Sequence, residues 1–211
     1  MDSETEFLKG LIELQYGRPV EKRLQEVAQK ISWAQGWPAD TTAFWNAEAF
    51  MWSHKIEKEK RMVIEQELSP LSRGNNLDLG CGSYSYLPSV GLDISPKMIK
   101  FNERCTSKMI ADLEQPLPIA ANSFDSVTAV FVFNYIQNYR QLLSEVQRIL
   151  IGGGTLVMVL SAGGVQDWHR QKEVNELSST EWITVLQNKG FKVKFHEQER
   201  LWFFVGTKRA L

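Results

Sequence analysis

The sequence predicts an α/β fold whose sheet is largely parallel and whose last strand is antiparallel. Two observations carry this prediction. From Asn75 onward, short apolar runs of strand length alternate with amphipathic stretches of helical spacing, which is the order of β-α-β units. Near the C-terminus, residues 191–198 and 200–208 are strand-like runs close enough in sequence to pair as an antiparallel hairpin.

The spacing of apolar residues places the individual elements. Five short apolar runs mark the strands of the parallel part, namely 76–79, 90–92, 109–110, 126–133 and 155–160. Helices are expected over 96–104, 138–150 and 181–189. Right-handed crossovers would join the parallel strands.

Before residue 70 every signal is helical. Pro19 can occupy the first turn of a helix, and apolar residues recur behind it at helical spacing. Gly-Trp-Pro at 36–38 interrupts that helix, and Asp40 or Thr41 can cap the next, which we expect to run from about 42 to 68. We therefore predict a helical cap of residues 1–70 on an α/β domain of residues 71–211.

The charge balance and the cysteine usage argue against several classes of protein. The formal net charge is −1, so no overall field attracts nucleic acid or acidic lipid. No apolar run approaches the roughly 18 residues of a membrane helix, and the acidic N-terminus lacks the layout of a signal peptide. Cys81 and Cys105 lack metal-ligand spacing and are expected to be free thiols. A cytoplasmic protein without a metal is expected, and its oligomeric state is not predicted.

The strongest local feature is the end of the first strand. It reads Leu-Asp-Leu-Gly-Cys-Gly, so that Asp78 is followed by the pair Gly80 and Gly82. Ligands of open α/β sheets bind at the carboxyl ends of strands, and glycine lets the backbone approach a ligand closely. A tight turn without a ligand would explain the two glycines equally well.

Two further acids end the next two strands. Asp93 is placed to accept both hydroxyls of a ribose, although an aspartate there can also cap the following helix. Asp112 precedes a loop containing Pro116 and Pro118, which is hostile to a helix. Three acids along one sheet edge favour a bound ligand.

With these motifs in this order, the chain resembles the class I S-adenosylmethionine-dependent methyltransferases, in particular a broad group that acts on small molecules. The pattern is LDLGCG, GLDIS, ADLEQPLP, NSFDSVTAVFVFNYI and LLSEVQRILIGGGTLVMVLS, in register over residues 75–160. The resemblance implies a seven-stranded Rossmann-like sheet and S-adenosylmethionine as cofactor. It also implies methyl transfer to an oxygen, nitrogen or carbon of a small molecule.

The resemblance also implies roles for individual residues. The first motif would hold the amino-acid end of the cofactor, Asp93 the ribose, and Asp112 the adenine amino group. The segment 131–135 would run under the methionine portion towards the acceptor. The implied cofactor residues are Asp78, Gly80, Cys81, Gly82, Asp93, Ile94, Met98, Asp112, Leu113 and Phe131.

The first motif departs from the family pattern in two ways. Tyr84 stands where a third glycine is often found, and the interval from Gly80 to Asp93 is only 13 residues. Dinucleotide folds place the acid about 20 residues on. The first crossover helix can therefore be little more than one turn. This opens space that Tyr84 or Tyr86 could fill as part of a pocket wall.

The acceptor side is less defined by the sequence. A general base is needed only if the acceptor is protonated, and His169 and Tyr135 are the candidates for contact with the reacting groups. A lone histidine in a polar loop can equally be merely solvated. Four of seven tryptophans precede residue 55, either as core or as a lid that favours an apolar or aromatic acceptor. The alternatives are a non-catalytic scaffold and a methyltransferase of proteins or nucleic acids.

Overall fold

A seven-stranded mixed sheet organises the computed structural model, which describes residues 2–163, 172 and 174–209. The strands are β1 (Asn76–Leu79), β2 (Ser89–Asp93), β3 (Cys105–Ile110), β4 (Phe124–Val130), β5 (Leu150–Ser161), β6 (Phe191–Gln198) and β7 (Leu201–Lys208). Their order is β3-β2-β1-β4-β5-β7-β6. Neighbours from β3 to β5 are parallel, and β7 is antiparallel to both β5 and β6. The predicted sheet with an antiparallel last strand is confirmed.

Eight α-helices lie in the described residues. They are α1 (Ser3–Gln15), α2 (Glu21–Ala28), α3 (Thr41–Glu48), α4 (Trp52–Lys55), α5 (Lys58–Leu68), α6 (Pro96–Phe101), α7 (Tyr139–Ile149) and α8 (Ser179–Asn188). The apolar faces of α7 and α8 pack with the central strands into one core, because their apolar residues recur at helical spacing. None of these helices is long and apolar enough to cross a membrane.

The single helix predicted over about 42–68 is wrong, because three helices occupy this stretch. The chain turns after Glu48, and Ile56 is extended, with φ −99° and ψ 118°, before α5 begins. No proline or glycine marks either break. The first turn instead allows Phe50 to contact the rings of Trp33 and Phe101. Tertiary packing therefore overrides a locally helical sequence.

Two other predicted elements end early. The fourth strand was expected to reach residue 133 but stops at Val130, because Phe131 takes φ +59° and a short 3-10 turn, Phe133–Tyr135, follows. The helix expected over 96–104 ends at Phe101. Asn102 is extended there, and its buried amide donates to the carbonyls of Cys81 and Gly82.

The crossover from β1 to β2 contains no helix, although the sequence allowed a helix of about one turn there. Helix α5 covers the neighbouring face of the sheet instead. Ile64 and Leu68 share a buried cluster with Tyr86 of the crossover and with Phe203 of β7. The N-terminal helices α1 to α3 form a second cluster, which buries Trp37 and Phe44. The division into a cap and a domain at residue 70 stays a prediction.

Candidate active site

A cavity of about 840 Å³, partly open to solvent, lies at the carboxyl ends of the parallel strands. Most residues that the sequence singled out line it, namely Gly80, Gly82, Asp93, Ile94, Met98, Asp112, Leu113, Phe131 and Tyr135. The sheet topology thus brings together motifs that are far apart in the chain. Their binding roles stay predictions.

The two glycines after β1 are needed for different reasons. Both have positive φ, +57° at Gly80 and +55° at Gly82, which disfavours any other residue. A Cβ atom on Gly80 would lie 2.8 Å from Cγ2 of Val132. A Cβ atom on Gly82 would lie no closer than 3.5 Å to Trp52. Gly80 is therefore required by local packing as well as by its φ, whereas at Gly82 a Cβ atom would make only ordinary contact with Trp52, so that glycine is favoured there by φ.

Asp93 is held by backbone groups that lie before and after it in the chain. Its two carboxylate oxygens accept hydrogen bonds from the backbone N–H groups of Gly82, at 2.9 Å, and Ser95, at 2.8 Å. Burial raises the pKa of Asp93 to about 6, and these N–H groups partly oppose that rise. The cap of α6 is Ser95, whose hydroxyl accepts from the N–H of Met98. Asp93 is therefore not used as the helix cap.

The loop after β3 brings Glu114 to the cavity wall, an acid that the sequence analysis did not single out. Asp112 accepts from the N–H of Glu114 at 2.9 Å, and both residues line the cavity. Glu114 in turn accepts from the N–H groups of Gln137, at 2.6 Å, and Asn138, at 2.9 Å. It thereby ties this loop to the start of α7. No local pattern in the sequence distinguishes Glu114 from a solvated loop residue.

Asp78 and Cys81 do not line the large cavity but a smaller and narrower one next to it. The two cavities share walls at Trp52, Gly80 and Phe131. Burial raises the pKa of Asp78 to about 6, against the effect of hydrogen bonds from Ser85 and Thr128. Tyr84 and Tyr86 complete this wall, as the short crossover suggested.

The N-terminal helices supply the opposite wall of the large cavity, through Thr41, Trp45 and Trp52. The ring of Trp45 meets that of Tyr135 edge to face with centroids 5.0 Å apart, and that of Trp52 at 5.8 Å. The sequence pointed to this aromatic segment without separating cavity residues from core residues. Thr41 was noted only as a possible cap, and the cap is Asp40, which accepts from the N–H of Ala43.

His169 lies outside the described residues, so its predicted contact with the acceptor stays a prediction. The chain is described again at Lys172, whose ammonium donates to the carbonyl of Ala39 at 2.8 Å. The N–H groups of Val174 and Asn175 then donate to the carbonyl of Asn134. The residues that follow this segment therefore lie beside the turn that carries Tyr135.

The two cysteines are free thiols and lie side by side, with their sulfur atoms 3.9 Å apart. They meet above Gly91 of β2, where a Cβ atom would lie 2.2 Å from the sulfur of Cys105. The pKa of Cys105 is lowered to about 7, mainly by its hydrogen bond with Cys81. Within the described residues, no group of three or more histidine, cysteine or acidic side chains is arranged to hold a metal ion.

Comparison with known proteins agrees with this geometry. Residues 77–158 match the family model of the methyltransferase domain. The chain is 26% identical over 152 residues to an uncharacterised protein of Methanocaldococcus jannaschii, which covers 64% of this chain and 74% of that relative. It is 27% identical over 121 residues to the demethylmenaquinone methyltransferase of Staphylococcus saprophyticus, covering 50% of this chain and 52% of that enzyme.

A solved structure has the same fold. It is a chain of the complex between the Haloferax volcanii Trm112 methyltransferase activator and a methyltransferase, with a TM-score of 0.62 and 18% identity. The match covers 79% of this chain and 98% of that one. The likeness shows that the two chains share a fold, and the match of residues 77–158 to the methyltransferase domain supports a methyltransferase of the S-adenosylmethionine-dependent class. The cofactor of this class is S-adenosylmethionine.

Proposed function

We propose that the protein methylates a small, largely apolar or aromatic acceptor that binds between the sheet and the N-terminal helices. One observation carries this proposal, namely that the cavity has two walls of different chemistry. The sheet side offers carboxylates and a glycine turn, whereas the helical side offers the rings of Trp45 and Trp52. A polar cofactor fits the sheet side, and an apolar acceptor fits the helical side.

The sheet side has the groups that S-adenosylmethionine requires. Each oxygen of Asp93 accepts one backbone hydrogen bond and keeps acceptor capacity for a ribose hydroxyl. Ile94 and Leu113 would provide apolar surface for the adenine ring, and Asp112 an acceptor for its amino group. These assignments are supported by position at the cavity wall.

Bound S-adenosylmethionine supplies a methyl group that is already activated on a sulfonium. The chain therefore has chiefly to hold the acceptor atom in line, about 3–3.5 Å from that carbon, and to exclude water. Trp45, Trp52 and Tyr135 are proposed to do this, because their rings contact one another at the cavity wall. Tyr135 is proposed to touch the acceptor, and His169 to act as a base where one is required.

Two other functions are less well supported. A net charge of −1 does not favour a nucleic-acid acceptor, and the aromatic wall does not favour a long polar peptide. A non-catalytic scaffold would have no need of Asp78, Asp93 and Asp112 at one sheet edge. A cytoplasmic location is proposed on the sequence features alone.

The proposal is tested by methyl transfer from S-adenosylmethionine labelled in its methyl group. The acceptors offered are phenols, aromatic amines and quinols, with peptides and transfer RNA as alternatives. We expect label only in the small aromatic compounds. Label confined to peptide or RNA would overturn the proposal, and cofactor binding without transfer to any acceptor would favour the scaffold.

A matched pair of variants tests the aromatic wall. Trp45 and Trp33 are both half-buried in the N-terminal helical region, but only Trp45 lines the cavity. Trp45→Ala should raise KM for the acceptor and leave the affinity for S-adenosylhomocysteine unchanged. Trp33→Ala should leave both unchanged. Equal effects of the two variants on KM would mean that Trp45 affects the reaction only by stabilising the N-terminal helical region.

A further inference from the structure

A tyrosine that lines the smaller cavity has a buried hydroxyl without a partner in the described residues. Tyr86 is 5% exposed and lines this cavity, yet nothing there hydrogen-bonds to its phenol oxygen. Leaving a buried polar group unpaired is unfavourable, and such groups in native proteins call for an explanation. A bound ligand that supplies the partner would explain it.

The position of this cavity limits what the ligand can be. It adjoins the large cavity through shared walls at Gly80 and Phe131. Asp93 and Asp112, the proposed nucleoside residues, line only the large cavity, whereas Asp78 lines only the small one. A ligand whose nucleoside lies in the large cavity would therefore extend its other end towards Asp78 and Tyr86.

The charges around the small cavity complement a zwitterion. Asp78 is buried and offers a carboxylate that can bind an ammonium group. Burial raises the pKa of Tyr86, so that its phenol remains a hydrogen-bond donor, and the positive charge of Arg61 acts on it from nearby. The Nε atom of Arg61 is likewise buried without a partner in the described residues. A donor backed by a cation is suited to a carboxylate.

We propose that Tyr86 binds the cofactor, its hydroxyl donating to the carboxylate of the α-amino-acid end while Asp78 binds the ammonium group. This inference rests on the proposed function and adds to it a residue of the crossover between β1 and β2, which contains no helix. In place of a helix N-terminus, whose N–H groups and dipole favour an anion, the crossover presents a phenol.

Tyr84 provides a matched control in the same wall. Its hydroxyl is already engaged, since it donates to Glu65 of α5 and accepts from Arg104 at 2.7 Å. Removing this hydroxyl should disturb the contact between α5 and the crossover without removing a ligand contact. Tyr86→Phe and Tyr84→Phe therefore delete the same group from neighbouring tyrosines with different expected results.

The test is calorimetric titration of the whole protein with two ligands that differ only at the amino-acid end. S-Adenosylhomocysteine has this end, and 5′-methylthioadenosine lacks it. We expect Tyr86→Phe to lower the affinity for S-adenosylhomocysteine about ten- to a hundredfold, which is the range for the loss of a hydrogen bond to a charged group. Its affinity for 5′-methylthioadenosine should change less than about twofold, whereas Tyr84→Phe should change the affinities for both ligands by the same factor, because its hydroxyl makes no contact with the amino-acid end.

Different results overturn different statements. Wild-type affinity of Tyr86→Phe for S-adenosylhomocysteine, or an equal loss for both ligands, would overturn the role of Tyr86. So would a wild-type protein that binds both ligands equally well, because the amino-acid end would then contribute nothing. A wild-type protein that binds neither ligand would overturn the proposed function itself.

Discussion

Replacing Asp78 by asparagine should change how the stability of the protein depends on pH. The side chain is 4% exposed, and burial raises its pKa from 3.8 to about 6. Between these two values the folded protein holds a proton that the unfolded chain has released. The free energy of unfolding therefore falls as the pH rises through this window and is level above it. Asparagine is neutral throughout and lacks this dependence.

The size of the effect follows from the two pKa values. At about 1.4 kcal/mol per pH unit, a pKa raised from 3.8 to about 6 corresponds to about 3 kcal/mol of unfolding free energy. About 2 to 3 kcal/mol of this is lost between pH 4 and pH 7, because the unfolded carboxyl is already partly ionised at pH 4. The carboxyls of Glu65 and Glu145, whose pKa values hydrogen bonds lower, act in the opposite sense but are common to both proteins.

The assay is urea denaturation of wild type and Asp78→Asn at pH 4, 5, 6 and 7. The variant should gain stability relative to wild type by about 2 to 3 kcal/mol from pH 4 to pH 7. A difference that does not change with pH would refute the reasoning, since Asp78 would then not ionise in this range. The affinity of wild type for S-adenosylhomocysteine should rise from pH 5 to pH 7 as Asp78 and Asp93 ionise, because the pKa values of both are raised to about 6. The part of this rise that is due to Asp78 should be about tenfold. Asp78→Asn should lack this part of the rise.

Three further changes test other parts of the site. Asp93→Ala should weaken the binding of S-adenosylhomocysteine by a few kcal/mol, at about 1.5–3 kcal/mol for each charge-assisted hydrogen bond that is lost. Unchanged affinity in calorimetry would mean that the ribose does not bind at Asp93. Gly80→Ala should destabilise the protein by more than Gly153→Ala, because both have positive φ but only Gly80 meets Val132; equal losses in thermal unfolding would contradict the packing argument. Cys105, half-buried and with a pKa of about 7, should react with a thiol reagent near pH 7.5 well before buried Cys81; mass spectrometry of the labelled peptides would show the opposite order if this is wrong.

The sequence was sufficient to predict the sheet and most of the residues that its edge contributes to the cavity wall. Strand β4 is buried almost throughout and therefore reads as an apolar run, although the run continues past the end of the strand. The positions of Asp78, Asp93 and Asp112 then follow from topology, because parallel strands end at the same edge of a sheet. Local pattern and tertiary position agree for these residues.

The helical wall could not be predicted from local pattern. The breaks before α4 and α5 have no proline or glycine, and they depend on contacts of Phe50 with rings distant in sequence. The inclusion of Thr41 and Glu114 in the cavity wall depends in the same way on where separate segments meet. Phe131 carries no signal for its positive φ, and that conformation is what turns the chain out of β4.

The use of α5 in place of a crossover helix has a consequence for folding during synthesis. Helix α5 leaves the ribosome before any strand has been made, whereas its partners Leu201 and Phe203 are among the last residues to emerge. Contacts between segments so far apart form slowly, because a long loop must close before they are gained. Ile64 and Leu68 thus lack part of their buried surroundings until the C-terminal hairpin is complete. Tyr86 belongs to the same cluster, so the smaller cavity takes its final shape at the end of folding.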